Sequence, residues 1–383
     1  MKVALVHEWL TTLGGSERVL LAFHRAFPEA PVFTSVHDAA RLPDAFRALD
    51  VRPSFLQRLP GATRHHRALL PLLPLAFEQL DLRGFDVVLT SHHACAKGVI
   101  VDADALHLAY VHTPMRYAWD LTHDYQATLP RWQRALAAPL LTYMRAWDVA
   151  SSLRVDHYLA NSRHTAQRIA KTWRRPATVL APPIRLADLP MPDQSRRGDH
   201  LLVVSRLVPY KRVDLAIAAA RLAGRRLRVV GDGPLYKALR RDAGPDVTFL
   251  GHVPDAEVHA ELGSAAALLF PGLEDFGLTP LEAMACGTPV IAYGAGGALE
   301  TVRPGETGLL VPAQTPEAFA EAIRAAGQLQ AQPEALRAWA ATFDEDAFVA
   351  RVHALVTAWW QQFRAGVPTD AFVLPPVTPG PGA

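Results

Sequence analysis

Short apolar runs alternate with amphipathic stretches along nearly the whole chain. Val3–Val6 reads as a strand, and after a loop holding Gly14-Gly15 the residues Ser16–Phe27 place Val19, Phe23, Ala26 and Phe27 at helical spacing. Further strands are expected at Val32–Ser35, Val87–Thr90, Leu106–His112 and His157–Ala160, with a long helix over Leu129–Leu153. Prolines at 182, 183, 190 and 192 and the polar run Asp193–Asp199 make Ala181–His200 read as a linker. Beyond it the alternation is more regular. Strands are expected at Leu201–Val204, Leu227–Val230, Val247–Leu250, Ala266–Phe270, Val290–Tyr293 and Gly308–Val311. Helices fill Val213–Ala223, Leu235–Ala243, Asp255–Gly263, Pro280–Cys286, Pro316–Ala326, Pro333–Ala341 and Asp346–Phe363. Strands separated by helical patterns predict parallel sheets with helices on their faces. The expectation is therefore an α/β fold with two Rossmann-like domains facing a central cleft, residues 1–182 and 183–345. A helix follows at 346–366, and the tail 367–383, with five prolines and two glycines, reads as disordered.

Composition narrows the functional classes. A chain of 383 residues exceeds one ordinary core. Its charge balance, 39 − 37 = +2, leaves no global field to hold nucleic acid, so a bound anion needs a local site. Cys95 and Cys286 lie far apart and suit a reducing compartment better than a disulfide framework. The opening residues read as a strand and not as an export signal. The longest apolar run, Ala68–Phe77, is interrupted by Pro71 and Pro74 and falls short of the roughly 20 residues needed to cross a bilayer. A cytoplasmic protein is expected.

In open parallel sheets ligands bind beyond the carboxyl ends of the strands, so polar residues there carry most weight. Glu274 and Glu282 flank a turn at Gly277 just after the strand ending at Phe270. Thr279 suits a helix N-cap and Pro280 the first helical position. The amides of Gly277, Leu278 and Thr279 would then be available to a phosphate. Glu282 could instead close a capping box with Thr279. After the strand Leu201–Val204, Ser205-Arg206-Leu207-Val208-Pro209-Tyr210-Lys211-Arg212 offers a guanidinium and an ammonium where a diphosphate would need them, with a surface basic turn as the alternative. His112 ends the strand Leu106–Val111, although a satisfied loop histidine would look the same. Gly14 and Gly15 could let backbone approach a ligand or simply form a tight turn.

The stretch Glu274–Val290 resembles the Glu-x7-Glu signature of the retaining GT-B glycosyltransferases of family 4, and the likeness runs from the Gly-Gly loop to Val311. The resemblance implies that Glu274 contacts the donor sugar and that Glu282 binds the ribose. Phe276, Gly277, Leu278 and Thr279 would lie along the diphosphate. Arg206 and Lys211 match the family's phosphate clamp, and Arg212 is read as a surface residue. His112 matches a histidine near the reacting sugar, Gly14 and Gly15 lie against phosphates or acceptor, and Val253 lies close to the base. The last helix is similar to the one that crosses back to the first domain. The implied activity is a metal-independent, retaining transfer of a hexose from a GDP- or UDP-sugar to a glycan or lipid-linked acceptor, with no cofactor. The opening residues are similar to mannosyltransferases of surface-polysaccharide pathways. A sugar-nucleotide epimerase and a non-catalytic nucleotide-sugar-binding module are the alternatives.

Three weaker features complete the reading. Gly231-Asp232-Gly233 opens like a dinucleotide fingerprint but lacks its third glycine. Asp102-Ala103-Asp104 is read as a surface turn, and no spacing makes His7, His92 and His112 a metal triad. Phe55–Phe77 mixes Arg58, Arg64, His65, His66 and Arg67 with leucines, which suits either buried packing or peripheral contact with the inner face of an anionic membrane.

Overall fold

The structure is a computed structural model that describes residues 1–127, 130–191, 197–329 and 331–374. It divides into two units. One comprises Met1–Ala181 with the described residues from Phe348 onward, and the other runs over Pro182–Ala347.

The first unit is built on a seven-stranded sheet of β1 (Val3–His7), β2 (Val32–Thr34), β3 (Val51–Pro53), β4 (Val87–His92), β5 (Leu106–Val111), β6 (His157–Ala160) and β7 (Thr178–Val179). The order is β3-β2-β1-β4-β5-β6-β7, with every pair parallel. The central strands are buried on both faces, and alternate residues feed two cores. Val3, Leu5, Val87, Leu89, Leu106, Leu108 and Tyr110 face one, with Val19, Leu20, Phe23 and Ala26 of the helix Gly15–Ala26. That core also receives Phe348, Val352, Leu355, Val356 and Trp359 of the helix Glu345–Arg364, whose apolar stripe fits a helical period. Ala4, Val6 and Val88 face the other core, with Met144 and Leu141 of the helix Arg131–Ser152 and Leu73, Ala76 and Phe77.

The second unit holds β8 (Leu201–Val204), β9 (Leu227–Val230), β10 (Val247–Gly251), β11 (Ala267–Phe270), β12 (Val290–Tyr293) and β13 (Gly308–Val311). The order is β10-β9-β8-β11-β12-β13, again parallel throughout. The two Rossmann-like parallel sheets expected from the alternating pattern are both present.

Two expectations need correction. Part of the Pro-rich linker is packed: Ile184 and Leu189 are buried, and Arg337 Nη1 donates to the Leu189 carbonyl at 2.7 Å. The backbone amides and carbonyls that proline cannot pair within an element are taken up by a side chain from elsewhere. Residues 192–196 of that stretch lie outside the described residues. The start of the tail is also ordered. Phe372 stacks near Trp359 with centroids 6.4 Å apart, and Gln362 bonds both the N–H and the carbonyl of Val373 at 2.8 and 3.0 Å. Residues 375–383 lie outside the described residues.

Candidate active site

In each sheet the chain builds outward in one direction and then crosses to the other side. The crossing falls between β1 and β4 in the first unit and between β8 and β11 in the second. Such switch points open a crevice at the carboxyl ends of the strands, because the two flanking connections leave on opposite faces. The candidate residues of each unit gather there, with the exception of Val253.

In the second unit, the loop after β8 carries Arg206 and Lys211, and the loop after β11 carries Glu274. Lys211 Nζ and Glu274 Oε1 form an ion pair, both side chains being mostly shielded from water. Lys211 also lies over the Tyr210 ring, 5.6 Å from its centroid. Arg206 is exposed, and its side chain forms no hydrogen bond or ion pair among the described residues. Arg212, read as a surface residue, is half-buried at φ +52° and pairs with Asp214 at 3.2 Å, ahead of the helix Val213–Leu222.

Two glycines seat these loops. A Cβ on Gly231, at φ +127°, would fall 1.9 Å from the Ser205 carbonyl oxygen. The Gly231-Asp232-Gly233 turn is therefore a bed for the arginine loop, and Leu207 N donates to the Asp232 carbonyl at 2.9 Å. A Cβ on Gly297 would fall 2.1 Å from Phe276 Cα, and Gly297 N donates to the Glu274 carbonyl at 2.9 Å. Close backbone approach of this kind excludes any side chain.

The helix after Glu274 starts earlier than expected. It spans Leu278–Ala285, and its N-cap is Gly277 at φ +95°, with no side-chain cap bond. Thr279 is therefore inside the first turn and Pro280 is not the first helical residue, so the Thr279–Glu282 capping box does not form. A residue in the left-handed region turns the chain into the helix, and only glycine takes that conformation at little cost. Glu282 lies one turn into the helix and is half-buried, while Leu278 and Thr279 are half-buried beside it. Phe276 is buried, its ring 5.9 Å from Phe343. Val253 stands apart from this group, in the turn after β10 at the edge of the sheet.

In the first unit, His112 follows β5 directly, and its Nε2 lies 2.8 Å from Ser91 Oγ near the end of β4. Ser91 Oγ is also 3.0 Å from His7 Nδ1 at the end of β1. His7 Nε2 is 3.3 Å from Glu17 Oε1 on the helix capped by Gly14 and opened by Gly15, and Ser16 Oγ donates to Glu17 Oε2 at 3.0 Å. The two glycines thus join the His112 neighbourhood through Glu17. A second cluster lies beside it. Glu8 accepts from His92 Nδ1 and from the backbone amides of His93, Ala94, Cys95 and Ala96 at 2.6–3.1 Å. Burial works against the Glu8 charge, but the His92 hydrogen bond, the nearby imidazoles and the Ala96 amide outweigh it and hold the carboxyl below its ordinary range. Burial, reinforced by His93, His7 and His92, pushes the His112 imidazole well below its usual range and keeps it neutral.

Glu17, Ser91 and Glu8 carried no weight in the sequence reading. The usable signal was Thr90-Ser91-His92 closing an otherwise apolar strand, a polar strand end beside the first sheet crossing. His7 and His92 meet serine and carboxylate partners, and Asp102 accepts from Gly84 N at 3.1 Å. Among the described residues no group of three or more His, Cys, Asp or Glu side chains could hold a metal ion.

Residues 195–342 match the model of a family described as glycosyl transferases group 1. Over 213 residues the chain is 34% identical to the exopolysaccharide phosphotransferase of Streptomyces coelicolor, covering 50% of this chain and 22% of that protein. Over 203 residues it is 34% identical to the GDP-mannose-dependent alpha-(1-6)-phosphatidylinositol monomannoside mannosyltransferase of Mycolicibacterium smegmatis, covering 45% of this chain and 52% of the other. The chain thus matches at most about half the length of these curated relatives. Its fold matches the Anabaena protein HepE, solved with UDP, at a TM-score of 0.70 and 18% identity, covering 93% of this chain and all of that one. The fold shared with that protein is the pair of Rossmann-like parallel-sheet units.

Proposed function

We propose that this chain, whose residues 195–342 match the glycosyl transferases group 1 model, transfers a hexose from a nucleoside-diphosphate sugar to a hydroxyl of a glycan or lipid-linked acceptor. The observation that carries the reading is the meeting of Lys211 with Glu274 at the crossing between β8 and β11, within the family-matched stretch. An acid and a cation held together there fit a sugar hydroxyl and a diphosphate oxygen. Arg206, exposed on the same loop as Lys211, adds a second cation that can grip phosphate in bidentate fashion.

In this reading the carbon–oxygen bond between sugar and diphosphate breaks as the acceptor oxygen attacks from the same face. The acceptor proton passes to the departing diphosphate, and Arg206 and Lys211 absorb the negative charge that grows there. This electrostatic stabilisation is the main contribution of the protein. Glu274 orients the sugar, Glu282 takes the ribose hydroxyls, and the amides of Gly277, Leu278 and Thr279 lie along the diphosphate. Phe276 anchors that loop, Val253 borders the base, and His112, Gly14 and Gly15 serve the sugar and acceptor side. Two cations in the clamp support a reaction without a divalent metal. The names of relatives support GDP-mannose as donor, and HepE supports a uridine nucleotide.

The test is a thermal-shift screen of the purified chain against nucleotide sugars, followed by transfer assays with the donor that binds. A donor at a hundred times its dissociation constant should add about 2.7 kcal/mol of stability. Lys211→Ala and Arg206→Ala should each lower turnover on the order of 10²–10³-fold. Near-normal transfer by both variants would refute the clamp.

A lipid-linked acceptor is supported by the surface of the first unit. The helix Arg131–Ser152 exposes Trp132, Leu136, Tyr143 and Val149, with Leu153 following. Its basic residues are Arg131, Arg134 and Arg145, and its one acid, Asp148, is buried against Lys97 at 2.9 Å. An apolar face bordered by arginines suits the headgroup region of an anionic bilayer. Part of the Phe55–Phe77 segment is buried, through Leu56, Ala62, Leu73, Ala76 and Phe77, while Phe55, Leu59, Leu72 and Leu75 remain exposed. Among the described residues no helix is long and apolar enough to cross a membrane.

A further inference from the structure

Four side chains from four separate elements form one hydrogen-bonded line: Glu17 Oε1 to His7 Nε2 at 3.3 Å, His7 Nδ1 to Ser91 Oγ at 3.0 Å, and Ser91 Oγ to His112 Nε2 at 2.8 Å. Glu17 lies in the first helix, His7 ends β1, Ser91 lies near the end of β4, and His112 follows β5. The line starts at a group that can only accept, since an ionised carboxylate has no proton to give. Burial opposes the Glu17 charge, but the His7 hydrogen bond and the imidazoles of His7 and His93 outweigh it and hold the carboxyl below its ordinary range.

With His7 neutral, the direction of every later bond follows from that start. With Glu17 accepting, His7 Nε2 must carry a proton, and a neutral His7 then has only a lone pair at Nδ1. Ser91 has a single O–H, which it gives to His7 Nδ1, so its oxygen can only accept from His112. A neutral His112 has one N–H, at Nε2, and its Nδ1 is left bare. Nδ1 has no hydrogen-bond partner among the described residues. The His112 ring lies beside those of Tyr110 and His93, with centroids 5.1 and 6.4 Å away.

We propose that Glu17, His7 and Ser91 are positioning residues that fix the tautomer of His112, so that it presents an acceptor nitrogen to a sugar hydroxyl. The selection is chemical. A bare nitrogen takes an O–H and repels a phosphate oxygen, so this end of the first unit selects a polyol over a phosphate. The inference rests on the reading of His112 as a sugar-binding residue. A doubly protonated His7 would reverse the line. Its Nδ1 would donate to Ser91, Ser91 would donate to His112 Nε2, and the His112 proton would move to Nδ1.

Long-range proton–nitrogen NMR correlations of the imidazoles, recorded on the full ¹⁵N-histidine-labelled chain at neutral pH, read the tautomer without reference to activity. The His112 signals are identified by their loss in His112→Gln. The expected result is a protonated Nε2 and a bare Nδ1 in the unsubstituted protein, and a mixed tautomer in Ser91→Ala. Ser91→Ala should also lose roughly tenfold in kcat, the equivalent of one hydrogen bond, with the donor KM little changed. A proton on Nδ1 in the unsubstituted protein would overturn the proposal, as would an unchanged tautomer in Ser91→Ala. If the bare Nδ1 is found but His112→Gln keeps full turnover, the tautomer relay stands and the role of His112 in transfer fails. If His112→Gln is inactive and the proton is on Nδ1, the relay fails alone.

Discussion

His93 shows how a buried side chain adds to the pH dependence of the first unit. Its ring packs edge-on against Trp9, with centroids 4.7 Å apart. Burial, only partly offset by the Glu8 carboxylate, moves its pKa from 6.5 to about 4. Between those values the unfolded chain binds a proton that the folded chain does not. Stability from this group is therefore complete above pH 6.5 and is lost as pH falls through the interval towards 4. His92 and His112 are shifted in the same direction and steepen the slope. Glu8 and Glu17 are shifted downward from 4.5, so their contributions begin to fade only below that pH. Urea midpoints measured across the interval should fall with pH, and His93→Gln should flatten the dependence. An identical slope in the variant would exclude His93 as a source. At this scale the sequence exposed the residues whose neighbours are close in the chain, such as Arg206 with Lys211. It did not expose Ser91, because a serine at the end of an apolar strand acquires meaning only when His7 and His112 arrive from other strands.

The elements were legible wherever a period was clean. The helix Glu345–Arg364 buries Phe348, Val352, Leu355, Val356 and Trp359, and that stripe can be read directly from the residues. Trp359 is fully buried, with His157 at a ring distance of 4.4 Å. Trp359→Ala should cost roughly 3–5 kcal/mol in chemical denaturation, because a large cavity opens in a core made by elements distant in sequence. Leu153→Ala, at an exposed position, should stay within about 0.5 kcal/mol. Equal losses in the two variants would show that the last helix does not hold this core together. The start of the helix after Glu274 was misjudged because Gly277 and Thr279 are both acceptable caps. Local chemistry does not choose between them. Gly297, lying against Phe276, fixes the path of the preceding loop and with it the turn that starts the helix.

At the scale of the molecule, the arginine-bordered apolar helix of the first unit gives a prediction for membranes. The chain should co-sediment with anionic vesicles at low ionic strength, and less so as the Debye length shrinks to about 8 Å near physiological salt. Replacing Trp132 and Leu136 with serine should abolish co-sedimentation while leaving the urea midpoint unchanged, since both side chains already face water. Unaltered sedimentation by the double variant would remove this surface from consideration. The sequence by itself determined two sheets of parallel strands, the helices that cover them, and the loops after β8 and β11 as places for charge. Periodicity and turn chemistry are local properties, and each segment carries its own. Tertiary structure decided which strands adjoin at the crossings, which glycines admit a neighbouring backbone, and how Glu17, His7, Ser91 and His112 line up. Those are relations between segments tens of residues apart, and parallel pairing through crossover connections leaves no trace of strand order in the residues themselves.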